Sequence, residues 1–192
     1  LPDFMNSPVS DDIYVRWTQF GVFSSHIRYH GTSKREPWSY PAIASIVKKW
    51  WKLRYALIPY IMEQSEKATR TGYPVLRALI FHHPEDKLCW HIDDEYYFGD
   101  DFLVAPVMNG EGCRDVYLPK GEWVNFFTGE CFEGECWLKK VDVPLEEMPV
   151  YVRKGATIPM YPEEVDCTDE MDLSKSILVK IDDAYRGFWA DR

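Results

Sequence analysis

The chain has 192 residues, enough for one fair-sized domain or two small ones, and a formal net charge of -9. That balance argues against nucleic acid and anionic membrane surfaces as partners, because both present phosphates that need a basic face; neutral ligands are unaffected. No stretch approaches the roughly 18 apolar residues of a membrane span, and no basic-then-apolar leader pattern opens the sequence, so no signal peptide is expected.

The first predicted element is a helix begun by Ser10 as N-cap, with Asp11 and Asp12 in its first turn, where acids favour the helix dipole. Ile13, Trp17, Phe20 and Val22 are expected to form its buried face, and Gly21 falls near its end. Ser24–Tyr29 reads as a short strand ending at Arg28 to His30, followed by the loop GTSKREPW, which Pro37 closes. A long helix is predicted from Pro41 to Thr71 on the recurrence of Ile43, Ile46, Val47, Trp50, Leu53, Leu57, Ile58 and Ile61. Pro59 should kink or break it, and Gly72 should end it.

After Gly72 the pattern turns to short apolar runs separated by Pro, Gly, Asn and Asp, as in an all-β domain. YPVLRALIFHHP, YYFGDDFLVAPVM, RDVYLP, EWVNFFTG, ECFEGECWLKKVDVP and PVYVRKGATIPM are the expected strand regions, with KGEW and FTGE as hairpin turns. YPEEVDCTDEMDLSKS is acidic and polar and reads as a linker. ILVKI reads as one more strand, and DDAYRGFWADR has no assignment.

The chemistry-bearing residues are few. The 8 Trp and 12 Tyr suit either sugar-stacking surfaces or the ordinary aromatic content of strands. Cys89, Cys113, Cys131, Cys136 and Cys167 are odd in number and form no Cys-x-x-Cys pair. They are expected to be free thiols of a reducing cytosol, which makes the expected location cytoplasmic. Asp93, Asp94, Glu95, Asp100 and Asp101 cluster around YYFG without the spacing of a calcium loop, so turn acids are the favoured reading over a metal site. His82 and His83 before Pro84 read as strand-end histidines, not as a metal pair.

No pair of carboxylates stands out as a glycosidase dyad, no G-x-S-x-G elbow occurs, and no glycine loop suits phosphates. His30 is the main candidate. An imidazole at a strand end before Gly31 lies where α/β barrels place active-site groups, and it can donate to or accept from a sugar hydroxyl. His26 is expected to be a hydrogen-bonded packing residue. Trp38 either walls a sugar subsite or packs its loop onto the next helix.

The run YVRWTQFGVFSSHIRYHGTSKREPW resembles the segment after the seventh barrel strand of glycoside hydrolase family 31, and within it the α-xylosidase branch. Tyr14-Val15-Arg16-Trp17, Phe20-Gly21, Ser24-Ser25-His26, Arg28-Tyr29-His30-Gly31 and Pro37-Trp38 carry the likeness. KLRYALIPYIM resembles the family's last barrel helix with its internal proline, and the strand regions from GYPVLRALIF to MPVYVRKGATIPM resemble its C-terminal β-sandwich. The resemblance implies an α/β plus all-β chain: the last helices and strand of a (β/α)8 barrel over residues 1–72, a proximal antiparallel β-sandwich over 73–162, and a linker with the start of a further β-domain or a tail over 163–192.

It also implies a retaining α-glycosidase that works through a covalent glycosyl-aspartate intermediate. No metal or organic cofactor is implied, and the partner is a glycoside or oligosaccharide. Both catalytic aspartates would lie upstream of Leu1, so this chain alone is expected to be inactive. Asp3 stands at a glycine position of the family pattern, beside Phe4, and is not a catalytic candidate. His30 would hydrogen-bond the hydroxyls of the sugar at the cleavage site, with Trp38 as a second substrate-binding candidate. An α-glucosidase of the same family, and a non-catalytic carbohydrate-binding or structural β-module, are the alternatives. Barrel helices without their neighbours would expose Trp17, Phe20, Trp50 and Leu57, so either self-association into a homo-oligomer or a packing of the helices unlike the family's is expected.

Overall fold

The structure, a computed structural model, describes residues 9–31 and 34–190. Asp3 and Phe4 lie outside the described residues, as do Thr32 and Ser33 of the loop after His30.

Helix α1 spans Asp11–Val22 and starts where expected, with Ser10 extended ahead of it. The Ser10 hydroxyl bonds the Asp12 carboxylate and is the first cause holding that carboxyl below its ordinary pKa. The buried face is not the expected one. Tyr14, Val15, Thr18, Gln19 and Val22 point inward, while Ile13 and Trp17 are 55% and 69% exposed. Two polar residues go inside because both are satisfied there. Thr18 Oγ1 donates to the Tyr14 carbonyl at 2.8 Å, and Gln19 Nε2 donates to the Leu145 carbonyl at 2.7 Å.

The expected long helix is two, α2 over Ala44–Ala56 and α3 over Ile58–Thr71. Pro59 falls in the first turn of α3, where its missing N–H costs nothing. The break leaves the Ala56 carbonyl for the Tyr161 N–H at 2.8 Å, which ties the helices to the β-rich part. Pro41 sits in the turn before α2 instead of opening the helix. Gly72 ends α3 in the left-handed conformation, with φ of 78°.

Ser24–His30 forms no strand. A strand needs neighbours for its backbone groups, and no described strand flanks this segment; side chains anchor it instead.

Among the described residues, ten strands follow: β1 Leu76–Arg77, β2 Tyr96–Phe98, β3 Phe102–Val104, β4 Cys113–Leu118, β5 Glu122–Asn125, β6 Cys131–Glu133, β7 Cys136–Asp142, β8 Val150–Arg153, β9 Thr157–Met160 and β10 Ile177–Lys180. Six make one antiparallel sheet in the order β1-β2-β3-β8-β5-β6, while β4 pairs β7 and β9 pairs β10. FTGE lies between the paired strands β5 and β6, as expected of a hairpin. KGEW does not close one: it carries the chain from β4 to β5, which belong to different sheets.

Strand alternation gives the six-stranded sheet two apolar faces. Phe98, Phe102, Val104, Val124, Val150 and Val152 cluster with Phe23, Trp50, Leu53, Leu57 and Tyr60 of the helical part. Tyr97, Leu103, Trp123 and Tyr151 cluster with Val116 and Leu118 of β4, with Leu138 of β7 packed alongside. Trp50 and Leu57, expected to be exposed, are 1% and 0% accessible because this sheet covers them.

The acidic run after Tyr161 makes two short 3-10 turns, Thr168–Glu170 and Leu173–Lys175. It is tied to α2 by Lys52 Nζ, which reaches the Val165 carbonyl at 2.6 Å and Asp166 at 2.8 Å. Farther on, Phe188 stacks on Phe126 at 5.3 Å and Trp189 on Phe127 at 6.0 Å. Gly187 permits this approach: its φ is 98°, and a Cβ there would lie 2.2 Å from the Phe127 carbonyl oxygen.

Candidate active-site edge

The segment that carries His30 begins where α1 ends. Arg54, buried on α2, sends its guanidinium to three carbonyls there: Nη1 to Val22 at 2.8 Å and to Ser24, and Nη2 to Ser25 at 3.0 Å. Burial lowers its pKa to about 10. The Ser24 hydroxyl donates to the Phe20 carbonyl at 2.9 Å. The chain therefore leaves the helix with its carbonyls held by a side chain in place of a neighbouring strand.

Tyr29, next to His30, is fixed from two sides. Its hydroxyl lies 2.7 Å from Thr18 Oγ1 and accepts the Trp51 indole N–H at 3.0 Å. Its ring stacks on Tyr14 at 4.9 Å, and Tyr14 stacks on Tyr40 at 4.1 Å. The Tyr14 hydroxyl donates to the Arg35 carbonyl at 2.7 Å. A single pile of tyrosines thus grips the loop before His30 and again after it. Burial pushes the Tyr14 phenol well above its ordinary pKa, so it stays a donor.

His30 itself is exposed, as are Arg28 and Gly31. Trp38 lies in the 3-10 turn Pro37–Ser39 and is 79% exposed. Gly31 lets the Arg35 side chain lie close, since a Cβ there would come within 2.9 Å of Arg35 Cγ. The structure thus places both candidates on one clamped loop, with the imidazole and the indole in solvent. His26 is exposed, with Nδ1 3.1 Å from Ser25 Oγ, and not the packing residue expected.

Of the acidic residues near YYFG, Asp94, Glu95 and Asp100 meet cations or backbone and Asp101 meets a phenol. Asp100 bonds Lys67 and, at 2.6 Å, Arg77. Asp94 meets Arg114 at 3.0 Å. Glu95 is buried, with Oε1 accepting the Tyr117 N–H at 2.8 Å. Asp101 lies 3.4 Å from the Tyr60 hydroxyl. Among the described residues, no group of three or more His, Cys, Asp or Glu is arranged to hold a metal ion. His82 pairs with Arg77 through Nε2 at 3.1 Å, and burial takes its pKa down to about 4, so its ring is the neutral acceptor. His83 Nε2 lies 2.9 Å from the Tyr97 hydroxyl.

Tyr14, Tyr29 and Arg54 are the residues that sequence reasoning missed. A signal existed for Arg54: it lies beside Leu53 and among the helical-period apolar positions of α2, where a cation has to find acceptors.

Helices ahead of an antiparallel β-domain, with an imidazole and an indole held out on a clamped connection, are consistent with part of an α/β barrel joined to a β-domain. The comparisons agree. The Glycosyl hydrolases family 31 TIM-barrel domain matches residues 3–64, and the Glycosyl hydrolase family 31 C-terminal domain matches residues 72–158. The chain belongs to glycoside hydrolase family 31.

Alpha-glucosidase 2 of Bacillus thermoamyloliquefaciens is 35% identical over 152 residues, covering 77% of this chain and 19% of that protein. An alpha-xylosidase of Saccharolobus solfataricus is 35% identical over 163 residues, covering 83% of this chain and 22% of its own length. A solved Flavobacterium johnsoniae dextranase of the family, complexed with isomaltotriose, superposes with a TM-score of 0.74 at 39% identity, over 82% of this chain and 20% of that one. The chain therefore spans about a fifth of the length of the curated relatives it matches.

Proposed function

We propose that this chain is the C-terminal portion of a retaining α-glycosidase that hydrolyses terminal α-xylosides, with the aspartates that form and break the glycosyl-enzyme bond upstream of Leu1. Residues 1–72 supply the last units of a (β/α)8 barrel, residues 73–162 a β-sandwich that braces them, and residues 163–192 the passage to further β-structure. His30 hydrogen-bonds the hydroxyls of the sugar being cleaved, and Trp38 walls the same subsite. The five unpaired thiols fit a reducing, cytoplasmic compartment.

The observation that carries this reading is the clamp: a loop gripped by Tyr29 on one side and by the Tyr14–Arg35 bond on the other leaves His30 exposed. A solvent-facing imidazole next to the anchored Tyr29 is available to hydroxyls and adds nothing to a core. The xyloside preference rests on the Arg28–Gly31 motif. The alternative is an α-glucosidase of the same architecture, which the equal identity to relatives of both kinds supports.

Two assays test the proposal. The chain alone, given aryl α-xyloside and aryl α-glucoside, should show no turnover; heat-labile hydrolysis by it would overturn the upstream placement of the aspartates. In the longer protein that carries this chain, His30→Ala should cut kcat/KM on the xyloside by roughly 10–100-fold, the value of one or two hydrogen bonds in the transition state. An unchanged kcat/KM would remove His30 from the subsite.

A further inference from the structure

The connection between β3 and β4 carries the pair Asn109-Gly110, the only Asn-Gly in the sequence. We propose that Asn109 is a modification site: in the folded chain its side-chain amide reacts with the next peptide nitrogen and is lost, leaving aspartate and isoaspartate.

The step needs no reactant but water. The Gly110 peptide nitrogen, its proton taken by hydroxide, attacks Asn109 Cγ. The new N–Cγ bond closes a five-membered imide as the Cγ–Nδ2 bond breaks. Nδ2 takes up a proton from water and leaves as ammonia, which restores the hydroxide. Water then adds to one of the two imide carbonyls. Opening one side gives aspartate; opening the other routes the main chain through the former side chain and gives isoaspartate.

The electrophile is held in place. Asn109 Oδ1 accepts the Glu111 N–H at 3.1 Å, a turn in which an asparagine bonds its own backbone two residues on. Its Nδ2 donates to the Cys113 carbonyl at 2.8 Å. The Glu111 N–H therefore sits on the oxygen that gains charge when Cγ becomes tetrahedral, where a fixed donor lowers a barrier. The nucleophile is free: among the described residues, the Gly110 N–H has no hydrogen-bond partner. A Cβ built on Gly110 would meet nothing within 4 Å, and Asn109, Gly110 and Glu111 are all exposed, so hydroxide reaches the pair.

Asn125 is the control within the same chain. Its Oδ1 accepts the Phe127 N–H at 2.9 Å and the Thr128 N–H at 3.1 Å, the same kind of turn. The nitrogen that would attack belongs to Phe126, donates to the Val150 carbonyl at 2.9 Å, and lies in a residue that is 0% exposed. The two asparagines share a side-chain arrangement and differ in the nucleophile.

The product alters the entry to β4. Aspartate has no Nδ2 donor for the Cys113 carbonyl and puts a negative charge two residues from Glu111. Isoaspartate adds a carbon to the main chain. Cys113 pairs Asp142, and the Gly112 carbonyl accepts the Val143 N–H at 2.8 Å, so amide exchange should quicken at this end of the β4–β7 pair.

The test incubates the reduced chain at mildly acidic and mildly alkaline pH, folded and in urea, with the near-ultraviolet signal confirming that the folded samples stay folded. Peptide mapping by mass spectrometry and isoaspartyl methyltransferase labelling read the products. In the folded chain both products are expected at position 109 and not at 125, forming faster at the higher pH. The folded rate should lie within roughly tenfold of the rate in urea, because no global opening is needed. Gly110→Ala has room for its Cβ, and should slow the reaction by roughly tenfold because a side chain shields the nitrogen and narrows its backbone freedom. The proposal is overturned by an unmodified folded chain, by a folded rate below that range, by equal modification at Asn125, by a rate that does not rise with pH, or by an unchanged rate in Gly110→Ala.

Discussion

The Tyr14 hydroxyl donates to the Arg35 carbonyl oxygen at 2.7 Å, joining the first turn of α1 to a loop residue 21 positions later. Tyr14 is 4% exposed and its ring is stacked on both sides, so the bond is formed without further ordering of the side chain. Tyr14→Phe keeps the stack and removes only the hydrogen bond. The expected cost is about 1 kcal/mol in urea unfolding. Amide exchange from Arg35 to Tyr40 should accelerate while the sheet stays protected; unaltered exchange in that stretch would show that the bond does not hold the loop.

Arg54 is a larger stake. Its guanidinium supplies the donors for the Val22, Ser24 and Ser25 carbonyls, all from one buried side chain. Arg54→Met fills the space and strands the carbonyls, so a loss of about 2–4 kcal/mol is expected. Arg54→Lys keeps the charge but not the planar fork and should recover only part of that loss. Urea titration of the two variants checks the order; a methionine variant as stable as the parent chain would mean that water replaces the guanidinium at no cost.

These two clamps mark where sequence reading stops. Pro59 and Gly72 were legible because each acts through its own backbone, a missing N–H and a left-handed φ; Ser10 precedes α1 as expected, but its hydroxyl bonds the Asp12 carboxylate and caps no helix N–H. The orientation of α1 was not, since Ile13-Trp17-Phe20 and Tyr14-Thr18-Val22 both recur at helical spacing and only tertiary neighbours choose between them. Turn chemistry at KGEW announces a reversal but not which sheet receives the next strand. The candidate loop was legible through its motif. Its mount was not, because Arg54 and Tyr29 meet their partners through contacts that no local pattern encodes.

Stability should depend on pH through buried groups that act in opposite directions, Glu95 on one side and His82, with His83 shifted the same way, on the other. Burial raises the Glu95 carboxyl from 4.5 to about 8, against the pull of the Tyr117 N–H and Arg114, and its Oε2 has no partner among the described residues. The folded chain then keeps a proton that the unfolded chain has lost, so this contribution is full below 4.5 and disappears as pH rises to about 8. His82 moves from 6.5 down to about 4, so its contribution is present above 6.5 and lost as pH falls through that window. The two offset each other in mildly acidic solution, and the interval from about 6.5 to about 8 isolates Glu95. Stability should fall with rising pH there, and Glu95→Gln should flatten the slope. A wild-type profile that is flat or rising in that interval would mean that Glu95 is ionised in the folded chain, with Arg114 outweighing burial.

The outward face of α1 has the last testable consequence. Ile13 and Trp17 are 55% and 69% exposed, and Phe20 touches Trp17 at 6.1 Å, so one side of the helix is apolar and uncovered in this chain. Proposed here as the end of a barrel, that side is where the preceding units would pack; alone, the chain should bury it against a second copy. Light scattering is expected to show association that Ile13→Glu together with Trp17→Glu abolishes. Both positions face solvent, so the double variant should keep its near-ultraviolet signal and its unfolding midpoint. A monomeric parent chain at the concentrations where the core is stable would mean that this face tolerates water, and would remove the argument for a homo-oligomer.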